Sequence, residues 1–196
     1  MSHGGGHGLV EGENKKIAIL ISVLALFLAI AETLGKSAQT DGISSNVEAS
    51  NLWAFYQAKT IRKTTMETGA EQMEVDVQLA KDADVKALLE KRVKEWKDRA
   101  ARYESEPRPN NKGEGRKELM ARALEAEVKR DRALAKYHSF EFGSAAFQIA
   151  IVLASSYLIT GVFYLLWGAG AVGAVGVLFT ILGMVAPNAL HVFGAH

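Results

Sequence analysis

Charge is confined to one part of this chain. No Asp, Glu, Lys or Arg stands between Phe142 and His196, and none between Ile17 and Ala31. Residues 36–141 carry almost every charge, at a density well above the roughly 25% of ordinary domains. A sequence divided in this way is matched to two solvents, water for its middle and hydrocarbon for its flanks. The near-neutral total of +1 over 196 residues conceals the division.

The apolar runs have membrane dimensions. Ile17–Leu34 is about 18 residues, close to the ~20 that cross a ~30 Å hydrocarbon core. Lys15, Lys16 and Lys36 bracket it and can reach the headgroups on either side. A cleaved signal sequence would have a shorter apolar stretch ending in a small-x-small site, and Ala31-Glu32-Thr33 is a poor match. The C-terminal run is too long for one crossing. It divides into Phe142–Trp167 and Ala171–Leu190, with a tight turn expected at the glycines of Gly168–Gly173. Trp167 suits the headgroup end of its helix, and Pro187 ends the last one. Three crossings therefore span 15–35, 142–167 and 171–190. Helices in lipid associate through small residues, because lipid tails are as apolar as leucine. Ala146, Ala150 and Ala154 repeat every four residues on one face of the second span, and Gly176 and Thr180 do so on the third. Ser155, Ser156 and Thr160 are candidate donors between helices.

The middle, 36–141, reads as helical throughout. Ser37–Asn46 is rich in turn and cap residues, so a break or kink is expected near Gly42. Trp53 and Tyr56 lie three apart on one helical face, suited either to a lipid surface or to a buried contact. Val85, Leu89, Val93, Trp96, Ala100 and Tyr103 follow the 4-4-3-4-3 spacing of a coiled-coil stripe, within one chain or between chains. Residues 105–115, with two prolines, two glycines and no apolar residue, form a loop. The fold class expected is all-α: three transmembrane helices carrying a helical-hairpin, coiled-coil-like extramembrane domain, after a flexible His/Gly tail at 1–14.

Few residues suggest chemistry. The chain has no cysteine, which excludes disulfides, thiolate metal sites and cysteine nucleophiles. Charges of both signs are mixed, so no polybasic tract exists for nucleic acid. Gly35-Lys36-Ser37 resembles the end of a phosphate-binding loop, but Ile30 stands where that motif needs glycine. His3 and His7 are flexible imidazoles with weak metal-binding potential. Glu32, His138 and Glu141 lie near the same end of the first two spans, where ionisable groups are costly and often functional. They are candidates for an ion or proton site, or simple interfacial anchors with Glu32 paired to Lys36. No serine–histidine–acid set or nucleotide loop occurs, so no enzyme activity and no cofactor are expected.

Several stretches match a known pattern. Ala31-Glu-Thr-Leu-Gly-Lys-Ser-Ala-Gln-Thr40, Glu48-Ala-Ser-Asn-Leu-Trp-Ala-Phe-Tyr-Gln-Ala-Lys-Thr-Ile-Arg62, Ala101-Arg-Tyr-Glu-Ser-Glu-Pro107 and Ala145-Ala-Phe-Gln-Ile-Ala-Ile-Val-Leu-Ala-Ser155 resemble the bacterial membrane-protein family of domain of unknown function 4337. The resemblance implies a bacterial inner membrane and assigns no chemistry. Lys129, Arg130, Arg132 and Lys136 before the second span favour a cytoplasmic charged domain, although Lys15 and Lys16 argue the other way. The function expected is a membrane scaffold or accessory protein that self-associates or joins a larger complex, its main partner being the lipid bilayer. The alternative is an oligomeric channel or transporter-like protein using Glu32 and His138.

Overall fold

The computed structural model describes residues 6–109 and 113–189, with side chains from Asn14 onward. Four helices hold nearly all of them: α1 (Gly6–Leu79), α2 (Ala83–Glu104), α3 (Arg116–Thr160) and α4 (Phe163–Val185), with a 3-10 turn at Pro187–Ala189. No strand occurs among the described residues. α1, α3 and α4 are each long and apolar enough to cross a membrane. The chain divides into two compact units: an apolar unit of Met1–Ile43 with Arg130–His196, and a charged unit of Ser44–Lys129.

In the apolar unit, α1 buries Ile17, Leu24, Ala31 and Ala38, one residue in every seven. Gly35 and Gly42, four residues after Ala31 and Ala38, are buried as well. α3 answers with Phe140, Phe147 and Ala154 at the same interval. A seven-residue repeat keeps two wound helices facing each other, and the small residues let their backbones approach closely. A Cβ built on Gly35 stands 3.5 Å from that of Phe140, and one on Gly42 stands 3.7 Å from that of Ala133. Positions rise on α1 as they fall on α3, so the two run antiparallel. The expected break near Gly42 is absent, because α1 passes through it unbroken. Glycine costs a helix about 1 kcal/mol relative to alanine, yet here the missing side chain makes room for Ala133 and Leu134.

The link between the last two helices also differs from expectation. α3 ends at Thr160 and α4 begins at Phe163, so the turn is at 161–162 and not at Gly168–Gly173. Gly161 takes φ +68°, which an L side chain rarely adopts. Its N–H donates to the Tyr157 carbonyl at 2.9 Å, closing the helix end. The later glycines sit inside α4 and serve packing instead. Ala169, Gly173, Gly176, Thr180 and Gly183 form its buried stripe. A Cβ on Gly143 would lie 2.7 Å from Thr180 Oγ1 and 3.2 Å from the Gly176 carbonyl oxygen, so α3 and α4 touch almost backbone to backbone.

The charged unit packs α1 against two partners in succession. Nearest its start, Ala49 and Leu52 of α1 meet Leu119, Ala123 and Ala126 of α3, with Trp53 and Tyr56 against the edge. Further along, α2 takes over. Its stripe packs on α1 within the chain: Val93 and Ala100 are buried, and the Trp96 indole lies where a Cβ on Gly69 would be. Only the first residue of the stripe stays open, Val85 being 49% exposed. Asp82 starts α2 by accepting from the Asp84 and Val85 N–H groups at 2.8 and 3.2 Å.

Two predictions follow from these contacts. Gly69→Ala should destabilise the charged unit by about 1–3 kcal/mol through overpacking against the indole, whereas exposed Gln72→Ala should change little. Thermal melts followed by circular dichroism measure both. Gly176→Val should cost a similar ~1–3 kcal/mol by forcing α4 off Phe147 and Gly143. Ala174→Val, on the exposed side of α4, should leave the detergent-solubilised protein's melting midpoint within a degree or so.

Candidate functional site

Polar side chains gather in three places, and each takes its position from the helix register. The largest group joins the end of α2 to the start of α3. Glu104 Oε2 accepts from Lys63 at 2.9 Å and from Arg116 Nη1 at 2.8 Å. Arg116 Nη2 donates to the Tyr56 hydroxyl at 2.8 Å, and its guanidinium lies over the Tyr56 ring. Behind it, Glu118 Oε1 accepts from the Ser105 hydroxyl at 2.6 Å, and Oε2 accepts from the Glu106 N–H at 3.3 Å. A Cβ on Gly115 would fall 2.5 Å from the Glu106 nitrogen, so the chain closes this tightly only with glycine there. The proline- and glycine-rich segment thus interrupts what would be one long partner for α1. The polar knot fastens the two ends together.

The electrostatics fit a structural role. The Lys63 hydrogen bond holds the Glu104 carboxyl below its ordinary range against a burial penalty, with the charges of Lys63 and Arg116 adding to it. Glu104 in turn raises Lys63. For Glu118 burial pushes upward, but the Ser105 hydroxyl and the backbone N–H groups of Glu118 and Glu106 overcome it and the carboxyl is lowered. Lys59, 6% exposed, lays its ammonium over the Phe55 and Tyr103 rings at 5.4 and 5.3 Å.

Trp53 and Tyr56 make their contacts inside this unit. The Trp53 indole N–H donates to Glu127 at 2.8 Å, its ring meets Tyr56 edge-on at 5.5 Å, and both pack on the core. These contacts fit the buried-contact reading of the pair. Trp167 is different: it is 70% exposed beside Phe163, just after the Gly161 turn.

The second and third groups lie in the apolar unit. His138 Nδ1 stands 3.5 Å from Glu141, one turn along α3, and both are exposed. Glu32 bonds elsewhere: its Oε1 accepts from the Gln148 carboxamide at 3.4 Å. The structure thus pairs His138 with Glu141 and leaves Glu32 apart from them, without the expected pairing to Lys36. No three His, Asp or Glu side chains gather to hold a metal among the described residues. His3 and the His7 side chain lie outside the described residues. Ala146, Ala150, Ala154, Gly176 and Thr180 are all buried inside the unit, consistent with helix packing within one chain. The hydroxyls expected to reach between helices bond their own backbone instead, Ser156 to Val152 and Thr160 to Ser156, both at 2.8 Å. Gln148 was not singled out from the sequence. Its signal was available, since it is the lone carboxamide between Phe142 and Pro187.

One comparison identifies the family. The family described as domain of unknown function (DUF4337) matches residues 13–186. The chain belongs to it. No curated protein and no solved structure matches the chain. The matched segment runs from the start of the first apolar run through the end of α4.

The depressed carboxylates give the charged unit a defined acid limit. A carboxyl lowered on folding contributes stability above its unfolded value, ordinarily 4.5, and loses it as pH falls through the lower folded value. The melting midpoint should therefore be steady at neutral pH and decline once pH drops below about 4.5. Glu104→Gln should lower the neutral midpoint and flatten that decline, as melts across the acid range would show.

Proposed function

We propose that this protein is a non-enzymatic integral membrane protein that fixes a charged helical unit to a bilayer as a scaffold or accessory subunit, and that it self-associates. The observation that carries this reading is the way residue sizes are distributed in the apolar unit. Its interior is built from alanine and glycine, while its exterior shows Ile19, Leu26, Val152, Ile159, Leu178 and Val185, each more than half exposed. In water such a continuous apolar outside would aggregate. In hydrocarbon it is the favourable arrangement, and the small residues at the seams supply the close contacts that lipid cannot drive.

On this reading the spans are the apolar parts of α1, α3 and α4. A bacterial inner membrane fits the family resemblance, and Lys129, Arg130, Arg132 and Lys136 ahead of the apolar part of α3 favour a cytoplasmic charged unit. A conducting path within a single chain finds little room, because α3 and α4 meet backbone to backbone at Gly143 and Gly176. A pore would need several copies. The charged unit offers an open groove of about 720 Å³ lined by Thr60, Thr64, Thr68, Gln72 and Trp96, a surface on which a partner protein could rest.

Expression in bacterial cells tests the proposal. The full chain should stay with the membrane through an alkaline carbonate wash, and external protease on intact spheroplasts should spare the charged unit. Release into the wash would remove the bilayer reading. Cleavage within residues 44–129 from outside would keep the membrane and reverse the orientation.

A further inference from the structure

The small-residue faces named from the sequence are occupied inside one chain, so self-association must use another surface. The hydrogen bond between Glu32 and Gln148 marks one. Both side chains are exposed on the outside of the apolar unit. Gln148 lies six residues beyond Phe142, about 9 Å along the helix at 1.5 Å per residue. On the bilayer reading, this places a carboxylate and a carboxamide against lipid, where unsatisfied polar groups are expensive. Their single bond is long, at 3.4 Å, and satisfies little. Among the described residues, the second Glu32 oxygen, the Gln148 carbonyl and its other N–H have no partner.

We propose that this face is the interface with a second copy of the same chain, in which Gln148 of each copy donates to Glu32 of the other. The inference rests on the membrane reading above. The occupant follows from hydrogen-bond complementarity: the patch holds an acceptor with a spare oxygen and a donor with a spare N–H. A two-fold axis beside the patch brings each group to its complement. Lipid tails can satisfy neither. The neighbouring surface is shaped for the approach. Above Glu32 on the same side of α1 stand Ala18, Ser22, Ala25 and Ala29, all exposed and spaced four, three and four apart. Elsewhere the exposed surface of the helix is filled by Ile19, Val23, Phe27 and Ile30. The polar pair makes the case, and the small side chains let a second backbone come near enough for it to form.

The absence of cysteine makes the test direct, because each introduced thiol is the only one. Full-length Ala25→Cys and Ala29→Cys, oxidised in bacterial membranes, should yield disulfide-linked dimers. Val23→Cys and Ile30→Cys, on the opposite side of α1's exposed surface, should yield about five-fold less. Adding Glu32→Leu and Gln148→Leu to Ala29→Cys should reduce the dimer by roughly the same factor. The exchange Glu32→Gln with Gln148→Glu keeps one donor and one acceptor and should restore it, which separates a lost interface from a misfolded chain. Equal yields at all four positions, a dimer indifferent to the leucine changes, or linkage of Ala29→Cys to a different protein would each overturn the proposal. Retention through the alkaline wash is scored on the same samples, so failure of the membrane reading is seen separately.

Discussion

Everything in the apolar unit depends on how closely α1, α3 and α4 can approach one another. The limit is set by side-chain size at one position in every three or four: Ala31, Gly35, Ala38 and Gly42 on α1, Gly143, Ala146 and Ala150 on α3, and Gly173, Gly176 and Gly183 on α4. On the bilayer reading, association in hydrocarbon gains nothing from excluding lipid, so the favourable energy comes from many short van der Waals contacts. Large side chains inward would hold the helices apart and leave voids. Here most point outward, and Ile17, Leu24, Phe140 and Phe147 fill the space between the seams.

The charged unit solves the opposite problem with the same register. In water, burial itself drives packing, and α1 finds a larger set of side chains to cover, from Leu52 and Leu119 to Trp96. Its partner is supplied in two pieces, α2 and the first part of α3. The ion pairs of Glu104 with Lys63 and Arg116 therefore close a gap in a helix pair. Partly exposed pairs of this kind contribute modestly one by one. As a group, with the Ser105–Glu118 bond beside them, they fix where one helix stops and the next starts.

Much of this was legible in the sequence, and the parts that were not share a cause. The all-helical class, the three apolar helices and the packed stripe of α2 come from charge segregation and periodicity, which average over many residues. Glycine is where the reading erred. Gly42 and the series Gly168–Gly173 signal a break or turn when judged by local propensity, but they lie inside helices, where Gly42, Gly168 and Gly173 each have a neighbour that fits against them. Gly161, the one with a left-handed backbone, drew no attention because a single glycine after Thr160 looks like any other. The same limit applies to Trp53 and Tyr56: spacing puts them on one face, and only the presence of Glu127 and Arg116 decides what that face meets. Of the candidate site, the sequence supplied Glu32, His138 and Glu141; the His138–Glu141 pair is local, one turn along α3, whereas the partner of Glu32 depends on helix register across more than a hundred residues.

The seam between α1 and α3 is the central claim, and a disulfide measures it. Gly42→Cys with Ala133→Cys places two thiols at a close point of the seam, where the built Cβ atoms are 3.7 Å apart, within the span a disulfide bridges. Oxidation of the full-length double variant in membranes should give a cross-link within one chain, seen as a shift in gel mobility that reductant reverses. Asp41→Cys with Ala133→Cys moves one thiol to the exposed side of α1 and should not cross-link. Equal cross-linking of both pairs, or linkage only between chains, would contradict an unbroken α1 locked in register against α3.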